Sequence, residues 1–566
     1  METRRLKVAA LQTEPEWGAK ERNVARLDAW IRQAAGEGAA LVVTPEMATT
    51  GYLWDDRAHI APFVEPIPGP TTERFGALAR ELNVHIVLGL PEREPDTGTF
   101  YNTAVLLGPE GLVGRYRKVH PYMAEPHWAK NGDLGFPVFE TPLGRIALVI
   151  CMDLIFFEPT RVAMLEGAEL LCAPVNWFGE LAPSPVWLTR AYETGLPLVV
   201  ANRWGRERTT DFAGGSAVID GSGTVLATRQ SGDGLVTATV EVGGGRGRSI
   251  RRRPELYADL TLSTHRWDPL TFYRQFDTSR LPPGARVQAS AVQLVPGQGA
   301  GRAERLQRLA RWIEDLGERG SRLIVFPELA LTGLIDDAAQ ARAEAIPAGQ
   351  VASVLEPLLR LCGRHETTVL LGGVERDGDA HFNAAWLLTP EGLQGTYRKT
   401  HLTDDERRWA TPGNDLPFFD RPLGRIGVLM GDEIRLPEPA RLHALRGADL
   451  LAVLGAARRV YQYAETGDGR RVLWHLARVR ARENHAYVLF ANYAGAFGGG
   501  SGVFGPDAYQ DPSDEAWLGA EQGEGAVTLQ LDTTDTGTPG PVNRVRRKPF
   551  IVLREPTWYD PLVRPR

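Results

Sequence analysis

Thr141-Pro-Leu-Gly-Arg-Ile-Ala-Leu-Val-Ile-Cys-Met-Asp153 leads from a turn through an apolar run, Ile146 to Ile150, to a thiol. An unbroken apolar run of this kind reads as a strand buried on both faces. Cys151 closes the run and Asp153 opens a polar turn, so the thiol stands at the exit of a rigid element, where a nucleophile is well held. The same pattern returns as Arg421-Pro-Leu-Gly-Arg-Ile-Gly-Val-Leu-Met-Gly-Asp-Glu433, with Gly431 in the place of Cys151. The first copy is equipped for nucleophilic chemistry and the second is not.

That echo is one part of a repeat covering the whole chain. Val8-Ala-Ala-Leu-Gln12 recurs as Ala289-Ser-Ala-Val-Gln293, and Leu41-Val-Val-Thr-Pro-Glu-Met47 as Leu323-Ile-Val-Phe-Pro-Glu-Leu329. Gly114-Arg-Tyr-Arg-Lys-Val-His120 recurs as Gly395-Thr-Tyr-Arg-Lys-Thr-His401, and Trp267-Asp-Pro-Leu270 is matched with Trp558-Tyr-Asp-Pro-Leu562. A unit of about 280 residues is too long for a solenoid, so two tandem homologous domains are expected, residues 1–281 and 285–566. The boundary falls at Pro282-Pro283-Gly284. Within the first half, strands are expected over 6–12, 39–44, 84–89, 103–108, 145–151, 169–174 and 197–202. Helices are expected over 20–35 and 71–82, and a hairpin begins at Gly215–Gly223. The alternation predicts an α/β layered domain with a mixed sheet.

Composition narrows the function classes. Hydrophobic residues make up 43% of the 566 and charged residues 24%, with a net charge of −6, which is ordinary for a globular protein and gives no electrostatic footprint for nucleic acid. The basic runs Arg251–Arg253 and Arg544–Lys548 are short and read as solvated turns. Cys151, Cys172 and Cys362 are too few for a disulfide framework, and no apolar segment reaches membrane-spanning length. No leader is visible after Met1, so a reduced, cytoplasmic protein without membrane or nucleic-acid partners is expected. Gly243-Gly-Gly-Arg-Gly-Arg248 lacks the glycine spacing and strand–helix context of a dinucleotide fingerprint. His120, His127 and Cys151 lack metal-site spacing.

Four polar positions of the first half stand at strand ends or in the loops that follow: Glu46, Lys118, Glu125 and Cys151. Such loops are where open α/β sheets bind ligands. Taken singly, a Glu after Pro and a lone Lys read as solvated, and a Cys at a strand end as a small buried hydrophobe. The recurrence of Glu328 and Lys399 in the same contexts weighs against those bland readings. As a set the residues make chemical sense. A thiol needs a base or a positive neighbour, Glu46 can take its proton, and Lys118 can hold charge developing on substrate oxygen. The backbone N–H of Met152 is a natural oxyanion donor.

In order, Thr44-Pro-Glu46, Tyr116-Arg-Lys118-Val-His120 and Ile150-Cys151-Met-Asp153 resemble the three signature motifs of the nitrilase superfamily of carbon–nitrogen hydrolases. Ala201-Asn202-Arg203 and Phe212-Ala-Gly-Gly-Ser216 resemble that family too. The resemblance implies two tandem four-layer αββα sandwiches and, in the first, a Glu46–Lys118–Cys151 triad. It implies hydrolysis through a thioester or thioimidate, with no metal or organic cofactor. Glu125 resembles the family's second glutamate, which positions substrate or assists proton transfer. Cys-Met-Asp replaces the Cys-Trp-Glu of true nitrilases, and the loop from Arg117 to Trp128 resembles that of amidases, which favours a small amide as substrate, with a nitrile or an N-carbamoyl amine as the alternative. Trp177 is a candidate for the acyl pocket or, equally, a core aromatic.

In the second half Glu328, Lys399 and Glu406 remain, while Gly431 has no side chain to attack with. That half is expected to be a degenerate partner pairing with the first, as family subunits pair, with further homo-oligomers open. A regulatory ligand in its vacated pocket is the alternative role. The reading of another class is a binding or assembly protein inactive in both halves, which intact Glu46, Lys118 and Cys151 oppose.

Overall fold

The computed structural model describes residues 3–122, 124–243, 250–264, 281–297, 301–534 and 543–565. The matched segment Trp267–Leu270 and most of the glycine-rich Gly243–Arg248 lie outside them. The chain forms two compact units. One comprises Met1–Gly247, Gln462–Trp474 and Glu555–Leu562; the other comprises Arg248–Tyr461, His475–Arg554 and Val563–Arg566. Each unit therefore takes in segments from the opposite half of the sequence. The exchanged segments are anchored by side chains: Tyr559 packs on His120 in the first unit, and Tyr257 on His401 in the second.

The first unit holds two six-stranded sheets. Its strands are β1 (Arg4–Gln12), β2 (Leu41–Val43), β3 (His85–Arg93), β4 (Phe100–Gly108), β5 (Gly111–Arg117), β6 (Val138–Thr141) and β7 (Gly144–Leu148). They continue as β8 (Leu170–Val175), β9 (Leu198–Asn202), β10 (Trp204–Glu207), β11 (Thr210–Ala213), β12 (Ser216–Ile219), β13 (Val225–Arg229) and β14 (Gly234–Val242). The first sheet runs β14-β1-β2-β3-β4-β5 and the second β13-β12-β9-β8-β7-β6, with β10 and β11 a separate hairpin. Both have a parallel centre (β1-β2-β3 and β7-β8-β9) and antiparallel flanks.

The helices are α1 (Lys20–Gly36), α2 (Arg57–Ile60), α3 (Pro70–Leu82), α4 (Phe157–Leu165) and α5 (Pro185–Thr194). The sheets stack face to face, β1 lying against β9 and β12, while α1 and α3 cover the outer face of the first sheet and α5 lies on β9. This is the αββα sandwich. Val24, Leu27 and Ile31 of α1 and Phe75 and Leu78 of α3 meet Val42, Ile86, Leu88, Val105 and Leu107 of the sheet in one apolar cluster. α3 starts on Pro70, whose fixed φ suits a first turn, and stops at Asn83 in the left-handed region.

The second unit repeats the order of both sheets and adds a two-residue strand, Ile346–Pro347, beside Thr368–Asp377. Its first sheet runs Gly392–Arg398, Ala380–Thr389, Thr368–Asp377, Ser321–Val325, Arg286–Gln293, Gly525–Asp532. Its second runs Phe418–Arg421, Gly424–Met430, Leu450–Leu454, Tyr487–Ala491, Gly502–Phe504, Glu515–Trp517. Among the described residues no helix is long and apolar enough to cross a membrane.

Candidate active site

β7 stops at Leu148, two residues earlier than the apolar run predicts, and Cys151 opens a 3-10 turn, Cys151–Leu154. Cys151 has φ 45°, a left-handed backbone that a side chain resists. The carboxylate of Asp153 fastens the turn: Oδ2 accepts from Ile150 N at 2.9 Å and from Tyr116 Oη at 2.7 Å. Its Oδ1 accepts from His120 N at 3.1 Å and lies 2.8 Å from His120 Nδ1. On the far side of that imidazole, Nε2 is 3.3 Å from Tyr559 Oη, and the ring stacks on Phe156 at 4.1 Å. Asp153 and His120 both stand inside the sequence motifs, but nothing in their spacing reveals that they meet.

Glu46 follows β2, and its neighbour Met47 is also left-handed, at φ 51°. Lys118 follows β5 and Glu125 begins the short turn Glu125–His127. All three side chains are fully buried and converge. Lys118 Nζ donates to Glu46 Oε1 at 2.7 Å and to Glu125 Oε2. Asn102 Nδ2 bridges the carboxylates, 2.7 Å from Glu46 Oε1 and 2.6 Å from Glu125 Oε1, and Tyr52 Oη donates to Glu125 Oε2 at 2.8 Å. Asn102 was missed, though Asn383 of the repeat makes the same bridge.

Two carboxylates and one ammonium leave an excess negative charge out of water. Burial pushes the Glu46 carboxyl up, Lys118 pulls it back and Glu125 adds to the rise, leaving it at about 7. Burial also opposes the Lys118 charge, but Glu125 and Glu46 more than offset that and hold the ammonium. Burial, then the Glu46 charge, drive the Cys151 thiol well above its usual range, against Lys118 and a hydrogen bond from the Asn176 backbone. The thiol is therefore protonated at rest, and Glu46 becomes a carboxylate as pH rises through about 7. Among the described residues, Glu46 Oε2 and the Asn176 side-chain Oδ1 and Nδ2 are buried without hydrogen-bond partners.

Of the other expected residues, Met152 is buried directly after Cys151 in the same turn. Trp177 is buried at the end of β8, its Nε1 donating to Glu180 Oε1 at 2.7 Å and its ring set edgewise on Trp187 at 5.4 Å. Its indole is thus tied into packing.

Residues 7–247 and 288–509 each match the carbon-nitrogen hydrolase family profile. The chain belongs to the carbon-nitrogen hydrolase family. This carbon-nitrogen hydrolase is 35% identical over 223 residues to a nitrilase of Pyrococcus abyssi, covering 39% of this chain and 84% of that one. It is 29% identical over 238 residues to an omega-amidase of Homo sapiens, covering 39% and 84%. An amidase from Nesterenkonia sp. of known structure is 26% identical, covering 41% of this chain and 89% of that one, with a TM-score of 0.37.

The hydrolase's second unit keeps the site without the thiol. Glu328 Oε1 accepts from Lys399 Nζ and from Asn383 Nδ2, each at 2.8 Å, and Lys399 also reaches Glu406. Burial raises Glu328 to about 8. Gly431 has φ 51°, the backbone of Cys151, but a β-carbon there would collide with Glu328 Oε2 and Lys399 Nζ. The side chains have closed into the space a thiol would need.

Proposed function

We propose that residues 1–281 form a thiol-dependent amidase that converts a small amide to a carboxylic acid and ammonia. The observation that carries this is the buried Glu46–Lys118–Glu125 cluster beside a thiol on a strained turn. Glu46 is the general base, Lys118 the electrostatic stabiliser and Cys151 the nucleophile. As the C–S bond forms, the thiol proton passes to the unpartnered Glu46 Oε2, and negative charge develops on the substrate oxygen. Lys118 and the Met152 N–H stabilise that charge. The C–N bond then breaks, Glu46 returns the proton to the departing nitrogen, and ammonia leaves. Water attacks the thioester, giving a proton to Glu46. The C–S bond breaks, the sulfur recovers the proton and the acid is released. A base near pH 7 suits both proton transfers.

Glu125 holds Lys118 and, with Asn102, fixes Glu46. The unpaired carboxamide of Asn176 offers a donor and an acceptor to an amide substrate. The name of the human relative supports an amide and that of the archaeal relative a nitrile. Met152 in place of a bulky Trp after the nucleophile favours the amide. Residues 285–566 are a degenerate domain, since Gly431 cannot attack. The test is ammonia release from aliphatic and aryl amides, nitriles and N-carbamoyl amines, with wild type beside Cys151→Ala. Release from amides that vanishes in the variant is expected; release that survives it overturns the assignment.

A further inference from the structure

The two units differ beside the turn that carries the second glutamate. In the first unit, Arg57 at the start of α2 lays its guanidinium over the Phe100 ring, 3.9 Å from the centroid, and donates to Gly98 O. Asp56 caps α2, and its counterpart Asp337 caps the helix Ala338–Glu344, so Ala338 stands in the place of Arg57. Strand pairing sets Arg93 opposite Phe100 and Arg376 opposite His381, so His381 stands in the place of Phe100.

Where the arginine is absent there is an open cavity of about 540 Å³, lined by Ala338, Arg342, Arg376, His381, Arg408 and Trp409, with Asp379 as its acid. Among the described residues neither Arg342 nor Arg376 has an ion pair; Arg376 Nη1 only reaches Gly378 O at 3.3 Å. Arg408 has an exposed pair with Asp405 at 3.4 Å, which is worth little in water. His381 Nε2 is buried without a partner among the described residues. Three arginines thus line one cavity with few anions to balance them.

We propose that this cavity binds a small polyanion carrying two or more carboxylate or phosphate groups. Planar guanidiniums take such groups through paired N–H donors, and the volume suits a small metabolite. Arg408 belongs to the turn Glu406–Arg408, and Glu406 holds Lys399. The ligand therefore sits at the rim of the thiol-free site without entering it.

The test is calorimetric titration of the full chain with citrate and, separately, pyrophosphate at matched ionic strength. Two variants accompany wild type: Arg342→Gln with Arg376→Gln, and Ala338→Arg, which refills the cavity as Arg57 does in the first unit. Saturable one-to-one binding of either anion, weakened at least about tenfold in both variants while ammonia release is unchanged, supports the site. Citrate alone identifies a polycarboxylate ligand, and pyrophosphate alone a phosphorylated one. No saturable binding of either at millimolar concentration, or binding equal in wild type and variants, overturns it. Ala338→Arg alters a partly exposed first-turn position, so it remains informative if the double variant misfolds.

Discussion

Cys151 and Gly431 occupy one backbone conformation in two sites that share a glutamate, a lysine and a bridging asparagine. Holding a non-glycine residue left-handed costs about 1–2 kcal/mol. The first unit retains that strain where a thiol is carried, and the second has shed it with the thiol. Shedding is not general: Met47 and Leu329, which follow the two glutamates, are both left-handed. Strain after the glutamate thus belongs to the turn itself, while strain at position 151 belongs to the nucleophile.

The largest effect expected is from Cys151→Ala, a loss of roughly ten-thousandfold or more in kcat. Adding Gly431→Cys to it restores nothing, because the new side chain must first displace Glu328 and Lys399. Ammonia release from the double variant would reduce the contrast between the sites to one missing side chain. Next is pH. Glu46 acts as a base only when ionised and its carboxyl sits at about 7, so kcat/KM rises with pH through that value. Below it the rate drops about tenfold per unit, and a limb near 4.5 would sink the buried-base reading.

Asp153→Asn loosens the turn under the thiol. Hydrogen bonds to a charged group contribute about 1.5–3 kcal/mol, so kcat falls roughly 10- to 100-fold with KM little changed. Tyr559→Phe removes one bond of about 1 kcal/mol, a loss of roughly fivefold. It should also slow alkylation of Cys151 in the absence of substrate, whereas Tyr257→Phe, its counterpart in the second unit, leaves both rates alone. Smallest is Arg57→Ala, which removes a guanidinium–ring contact of about 0.5–1 kcal/mol and lowers the Tm by a few degrees at most.

The chemistry-bearing residues were legible because the repeat showed them twice, as Glu46 and Glu328, Lys118 and Lys399. Strands such as β3 and β8 were legible from unbroken apolar runs, and α1 and α3 from one apolar stripe each. α4 and α5 were not. They are buried on nearly every face and carry Arg161, Arg190 and Glu193 inside, Arg190 pairing with Glu193 at 2.6 Å, so no stripe marks them. The support of the thiol turn was illegible for a different reason. Asp153 reads as an ordinary turn residue until His120 is seen beside it, and Tyr559 is 439 residues from the His it meets. The short turns Pro254–Leu256 and Pro556–Trp558, each followed by the anchoring tyrosine, are the segments that correspond.

The exchange of those tyrosines has a consequence for the order of events at the ribosome. Every residue of the Glu46–Lys118–Cys151 cluster has been made before the second half begins, yet the hydroxyl that meets His120 is added only after that half is almost finished. A chain released early therefore keeps the Asp153 hydrogen bonds under the thiol but lacks the hydroxyl that meets His120 on its far side.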